Sequence, residues 1–362
     1  MKEKRNISID CIRIIAFLCV IILHFYIRNG LYNHYMYGIR SFFLILLASI
    51  VKICIPLYIL LTGFLMCKKE LTCTYYRGII KTIIIYLLAC ILGLLYRVLV
   101  EHEGISLNNA ISEILSFSAV EYSWYIEMYI GLFVMIPFLN ILYNSLQSRH
   151  VKIWMILTSL CLTSLPCIVN VYECTSLQWW VMPSVSDNYT QLIPDWWVGF
   201  YPITIYFIGC YLREYALKIS FRKNVVYLLA SFLFSGVYCY YRSYGNWYVW
   251  GEWQSEGSLL NIIPAVLMFN LWNNLQTDQW PQIIRKSLMR LSELCLGAYL
   301  FSGIAERIVY PKLVNWGNSI LEKVVRGVVS IVGVIMISLE ASFVINMIYT
   351  ILKNIYHKTI RS

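Results

Sequence analysis

Residues 7–25 read ISIDCIRIIAFLCVIILHF, and this stretch decides what kind of fold the chain can adopt. Asp10, Arg13 and His24 are its only acidic, basic or imidazole side chains, and the apolar run around them continues to Arg28. A helix needs about 20 mostly apolar residues to cross a bilayer, so 11–28 is expected to span one. The run is longer than the apolar core of a secretory signal, and no small-residue cleavage site follows it. It is therefore expected to stay as a first transmembrane helix.

The rest of the chain agrees. Its 362 residues are 59% hydrophobic, 16% aromatic and 13% charged, with mean hydropathy +0.65. Soluble domains carry about a quarter charged residues. This composition excludes a secreted module, a DNA-binding protein or a disordered tail, and the net charge of +10 fits an inner membrane face better than nucleic acid. Further hydrophobic spans are expected near 42–66, 82–100, 123–143, 153–172, 199–216, 225–241, 258–275, 291–310 and 326–352. With the N-terminus inside, 19 of the 29 Lys and Arg fall in inner segments and 8 in outer segments or at outer helix ends. Arg13 and Lys52 remain within spans. The expected architecture is all-α: a polytopic bundle of about ten spans, both termini cytoplasmic, forming one transmembrane domain over 1–362 with no separate soluble domain. The expected location is the cell membrane, with the lipid bilayer as the first partner. The twelve cysteines are scattered without a C-x-x-C pair; they read as small buried hydrophobes, and no metal site is expected.

Two outer stretches, 173–198 and 240–258, are rich in Trp and Tyr. One reading is an interfacial aromatic belt. The other is a platform for stacking sugar rings, with Asp187, Asp195, Glu252 or Glu256 accepting hydroxyl hydrogen bonds.

Charge inside a span costs about 2.5–3.5 kcal/mol on the lenient insertion scale, so such residues face a partner or a cavity. The candidates are Asp10, Arg13, His24, Lys52, Glu127, Glu293 and Glu340. Arg13 and His24 are the most informative. Eleven helical steps of roughly 100° bring them within about 20° of one face and roughly 16 Å apart along the axis. Histidine exchanges protons near neutrality, and arginine keeps its charge and favours phosphate or carboxylate. The pair suits a substrate threaded through the membrane, or equally a structural ion pair plus a hydrogen-bonded core histidine.

The stretch 7–25 also carries a resemblance. Asp10, Arg13 and His24 match the first-helix pattern of the acyltransferase-3 family of integral membrane acyltransferases: a basic residue, ten residues, then histidine, often with an aspartate three residues before. KICIPLYILLTGFLM resembles the family's second helix through Lys52, Pro56, Thr62 and Gly63. YYRGIIK is similar to its basic cluster at the third helix, with Arg77 and Lys81. SWYIEMYIGLFVMIP, beginning at Ser123, is similar to its fourth-helix segment around Trp124. LGAYLFS resembles a late motif in which histidine commonly stands where this chain has Ser302.

That resemblance implies transfer of an acyl group, usually acetyl from acetyl-CoA, to a hydroxyl of a cell-surface carbohydrate. His24 would be the general base, with a transient acyl-histidine as the lesser alternative. Arg13, Arg77 and Lys81 would hold the CoA donor, and Lys52 would line the same cavity or pair with a buried glutamate such as Glu340. Arg77 and Lys81 could equally be a plain positive-inside flank. Asp10 would orient Arg13 or cap the first helix. Trp124 and Glu127 are weaker substrate-binding candidates. Two positions depart from the family pattern. Tyr129 stands where some branches carry glutamate, and Ser302 removes any second imidazole. Only ten residues follow the last expected span, so the acceptor would be delivered by the aromatic loops or by glycan-assembly proteins. The competing functions are a transporter or exporter of an anionic or sugar-linked solute, and a catalytically silent binding relative.

Overall fold

The structure is a computed structural model and describes residues 5–30, 33–185, 189–313 and 320–359. It is helical, with no strand among the described residues beyond one isolated parallel bridge between Met36 and Tyr244. In chain order the helices begin with α1 (Ile7–Arg28), α2 (Gly38–Val51), α3 (Cys54–Met66), α4 (Cys73–Tyr76) and α5 (Ile80–Leu99). Then come α6 (Leu107–Leu115), α7 (Trp124–Ser145), α8 (Arg149–Thr163), α9 (Pro166–Val169) and α10 (Leu177–Val181). The last are α11 (Tyr201–Glu214), α12 (Phe221–Ser243), α13 (Leu259–Asn273), α14 (Gln282–Leu313) and α15 (Ile320–Thr359).

Each of the ten expected spans falls on a helix. Seven helical segments are long and apolar enough to cross a membrane among the described residues: 7–28, 38–66, 73–99, 124–145, 221–243, 282–312 and 325–355. The other three coincide with α8, α11 and α13, of 15, 14 and 15 residues. At 1.5 Å per residue these are roughly 21–23 Å long, short of the roughly 30 Å hydrocarbon layer.

The chain divides into two compact units: Met1–Lys69 with Phe138–Pro281, and Glu70–Pro137 with Gln282–Ser362. In the first, α1 packs on α2, α3 and α13, α3 packs on α11, and α12 packs on α2 and α13. The α3–α11 crossing is a glycine contact. A Cβ on Gly63 would stand 2.2 Å from the Tyr206 carbonyl oxygen, and one on Gly209 would stand 2.3 Å from that of Leu60. Close backbone approach through small residues is a common way to pack helices where lipid gives no hydrophobic drive. It explains Gly63 in the second-helix motif. Pro56 explains the break beside it. Proline has no N–H and its ring crowds the carbonyl four residues back, here that of Lys52, and the helix stops at Val51 and restarts at Cys54.

Pro137 and Pro264 also sit inside helices, and for each of these a hydroxyl takes the carbonyl that proline releases. Pro264 in α13 frees the Leu260 oxygen, to which Ser235 Oγ donates at 3.0 Å. Pro137 in α7 frees the Phe133 oxygen, to which Tyr75 Oη donates at 2.6 Å. Away from water such a carbonyl must find a donor. The Tyr75 pair belongs to the second unit, where α5, α14 and α15 pack together. An ionic network closes one end of that unit. Arg97 Nε donates to Glu103 at 2.8 Å and Arg97 also pairs with Glu113, while Arg307 binds Glu101 at 2.7 Å and Glu121 at 2.8 Å. The hydrogen bond from Arg97 holds the Glu103 carboxyl below the usual carboxylate range.

Candidate active site

The site begins with how α1 starts. Asn6 is the N-cap, its side-chain oxygen accepting from the Ser8 N–H at 3.0 Å. Of the two roles open to Asp10, capping this helix is corrected: the cap is Asn6, and Asp10 lies one turn in. There a carboxylate is favoured by the helix dipole, and Asp10 is only 2% exposed. Its two oxygens accept from one edge of the Arg5 guanidinium, Nε at 2.9 Å and Nη2 at 2.7 Å. Arg13 Nη1 stands 3.7 Å from the same carboxylate, one turn further along. Asp10 thus orients two arginines.

A third arrives from α11. Arg213 lies in its last turn with the guanidinium over the Phe64 ring, 5.0 Å from the centroid. Arg5, Arg13 and Arg213 line one cavity of about 570 Å³ with Asn6, Ile9, Asp10, Phe64 and Leu65. Three guanidinium groups against one carboxylate leave a positive excess, and planar N–H forks match phosphate and carboxylate oxygens two at a time. Ile9, Phe64 and Leu65 supply the apolar part of its lining.

His24 lies on the same unbroken helix as Arg13, eleven residues on and half-buried. The roughly 16 Å separation along the axis therefore holds. Beyond it, Tyr26 joins a core cluster with Met36, Val171, Tyr248 and Trp253, which ties that end of α1 to the aromatic stretches.

Lys52 sits at the α2–α3 break with Nζ 5.2 Å from the Trp250 ring centroid. The partner found for it is an aromatic face supplied by the 240–258 stretch, in place of the carboxylate entertained from sequence; Glu340 is exposed on α15. Arg77 and Lys81 belong to the second unit. Both are exposed: Arg77 lies in a single turn (Arg77–Ile79), and Lys81 Nζ lies 5.7 Å from the Tyr349 ring. Trp124 opens α7, edge-on to Tyr125, and Glu127 is exposed in the first turn of that helix. Tyr129 stacks along Tyr125. Ser302 is fully buried and donates to the Tyr299 carbonyl at 2.8 Å, so its hydroxyl serves its own helix.

Within the aromatic stretches, Arg242 is fully buried and no carboxylate pairs with it among the described residues. Its guanidinium carbon lies 3.8 Å from the Trp253 centroid and within 5.9 Å of Trp179, Tyr189, Tyr172 and Tyr238, and Nη1 donates to the Val171 carbonyl at 2.7 Å. Asp195 accepts from Gln191 at 3.0 Å, Glu252 is exposed and Glu256 half-buried, whereas Asp187 lies outside the described residues.

Arg5 and Arg213 were missed as site residues in the sequence, where both counted as topology. A basic residue at a span end looks the same whether it meets water or a cavity. The one available signal was Arg5 lying within reach of an aspartate already singled out.

The fold is thus a helical membrane protein with an open arginine-lined cavity, organised by the buried Asp10 at the start of the helix that carries His24. Comparison with known families sharpens this: the acyltransferase domain of the acyltransferase-3 family matches residues 6–346. The chain belongs to that family and is an integral membrane acyltransferase. No curated protein and no solved structure matches it.

Proposed function

We infer that the protein is an O-acyltransferase of the cell membrane, moving an acyl group, acetyl being the expected one, from cytoplasmic acyl-CoA to a hydroxyl of a cell-envelope carbohydrate. The observation that carries this reading is Asp10 fixing Arg5 and Arg13 around a cavity, on the helix that holds His24 about three turns away. The cavity suits the donor's phosphates. The orientation that puts both termini inside opens it to the cytoplasm, where acyl-CoA is made, and puts His24 toward the acceptor.

In the reaction the acceptor hydroxyl oxygen bonds to the thioester carbonyl carbon while His24 takes the hydroxyl proton. The carbon–sulfur bond then breaks, and CoA leaves as a thiolate that recovers a proton. A sugar hydroxyl is a poor nucleophile until its proton is accepted, and a positioned base contributes typically 10²–10⁴-fold. Arg13 supplies binding and orientation of the donor. Lys52 and the aromatic stretches lie on the acceptor side, and glycan-assembly proteins are the expected suppliers of acceptor.

The test is mass spectrometry of surface glycans from cells carrying wild-type, His24→Ala or Arg13→Ala protein, with membrane insertion checked by blot. Loss of the acyl increment in both variants is expected. Unchanged acylation in an inserted His24→Ala variant would overturn the assignment, and disappearance of the glycan itself would point to export instead.

A further inference from the structure

A second cavity, of about 550 Å³, lies beside the first and shares Arg5 and Asn6 with it. The Arg5 side chain, clamped by both oxygens of Asp10, is therefore common to the walls of two chambers. Their chemistry differs. The first gathers Arg13 and Arg213. The second has one basic residue, Arg5, and one acidic residue, Asp278, and the rest of its wall is made largely of carboxamides and hydroxyls from the start of α1, the end of α13 and the turn after it. Several of these groups already have partners: Ser8 Oγ lies 3.2 Å from Thr277 Oγ1, and Gln276 Oε1 accepts from Gln279 Nε2 at 3.0 Å. The Asn273 carboxamide, half-buried at the end of α13, makes no hydrogen bond among the described residues.

A carboxamide offers a donor and an acceptor side by side, which is the pattern a purine edge completes. A guanidinium held flat by a bidentate carboxylate can stack on a heterocycle while its remaining N–H groups face phosphate. A cationic chamber followed by a carboxamide-rich one, with one arginine between them, has the layout that would receive a nucleoside diphosphate. We propose that the second cavity holds the purine base of the acyl donor, with Asn273 and Gln276 reading its edge and Arg5 lying between base and phosphates. The proposal rests on the acyl-CoA reading given above and names the part of that donor the second chamber takes.

The experiment is calorimetric titration of the purified full-length protein with acetyl-CoA and with acetyl-4′-phosphopantetheine, which keeps the thioester arm and one phosphate but lacks the nucleoside. Wild-type protein is expected to bind acetyl-CoA at least tenfold more tightly. The double variant Asn273→Ala/Gln276→Ala is expected to lose 10–100-fold in acetyl-CoA affinity, the worth of one or two base-edge contacts, and to keep its affinity for the phosphopantetheine thioester. That second ligand doubles as the folding control. Undiminished acetyl-CoA affinity in the double variant, or an equal loss for both ligands, overturns the base-binding role. In that event loss of both ligands in Arg213→Ala would leave the arginine cavity standing as the donor site. Failure of wild-type protein to bind either ligand would sink both readings.

Discussion

Among single residues the most consequential is Asp10, because one carboxylate holds two of the three arginines that line the cavity proposed for the donor. Asp10→Asn keeps the shape and removes the charge. It is expected to weaken acyl-CoA binding at least tenfold through disorder of Arg5 and Arg13, since charge-assisted bidentate pairs are roughly twice as strong as neutral ones; titration against the wild type measures it. Tyr75 allows a different test. Tyr75→Phe strands the Phe133 carbonyl that Pro137 has released, at an expected cost of about 1–3 kcal/mol. In a Pro137→Ala background the cost should shrink, because the new backbone N–H at 137 can bond to that same carbonyl. Thermal melts of the four proteins in one detergent give the coupling. Arg13 and His24 were legible in the sequence because a span tolerates so few charges that each one stands out. Arg5 and Arg213 were not, since their meaning depends on which helix ends converge, and that is a property of packing.

At the element scale the α3–α11 crossing depends on two glycines. Gly63→Ala would force a methyl to 2.2 Å from the Tyr206 carbonyl oxygen, and backbone cannot yield as a flexible side chain does. A loss of at least 1–3 kcal/mol is expected, with displacement of Arg213 at the end of α11, so both the melting temperature and donor affinity should fall. Arg242 plays the corresponding role for the aromatic stretches, where enclosure by rings offsets part of the cost of burying its charge. Arg242→Ala should remove about 2 kcal/mol or more, the worth of a desolvated cation–π contact, and should raise proteolytic cutting in 240–258. The positions of the helices were largely readable, but three lengths were not. The apolar run of 153–172 contains Pro166, which starts a separate short helix, and 199–216 opens with a 3₁₀ turn at Val198–Phe200. In 258–275 the Ser258 cap and the Asn274 end trim α13 to Leu259–Asn273. Hydropathy reports composition over a window; caps and prolines decide where the hydrogen-bond ladder stops.

At the scale of the whole molecule, the orientation inferred from Lys and Arg can be tested with cysteines the chain already has. Cys73 and Cys174 are exposed, and they should lie on opposite faces of the membrane. A membrane-impermeant maleimide is expected to label Cys174 in intact cells and Cys73 only after permeabilisation; the reverse pattern would invert the topology. The ionic network of the second unit adds a pH dependence. Because the bond from Arg97 lowers the folded-state pKa of Glu103, the stability it contributes is complete above the unfolded carboxylate value, about 4.3. It is lost as pH falls through the lower folded value. Melting temperatures measured downward from pH 6 should therefore decline more steeply in wild type than in Glu103→Gln. The three short helices of the first unit have a consequence for transport distance. Most of α11 is buried against its neighbours, so the helix has no need to match lipid thickness. Where α11 and α13 stop, at Arg213–Glu214 and Asn273, the two cavities begin. On the function proposed above, both cavities are expected to admit water as a vestibule from the cytoplasmic face, which would shorten the distance the acyl group has to cross.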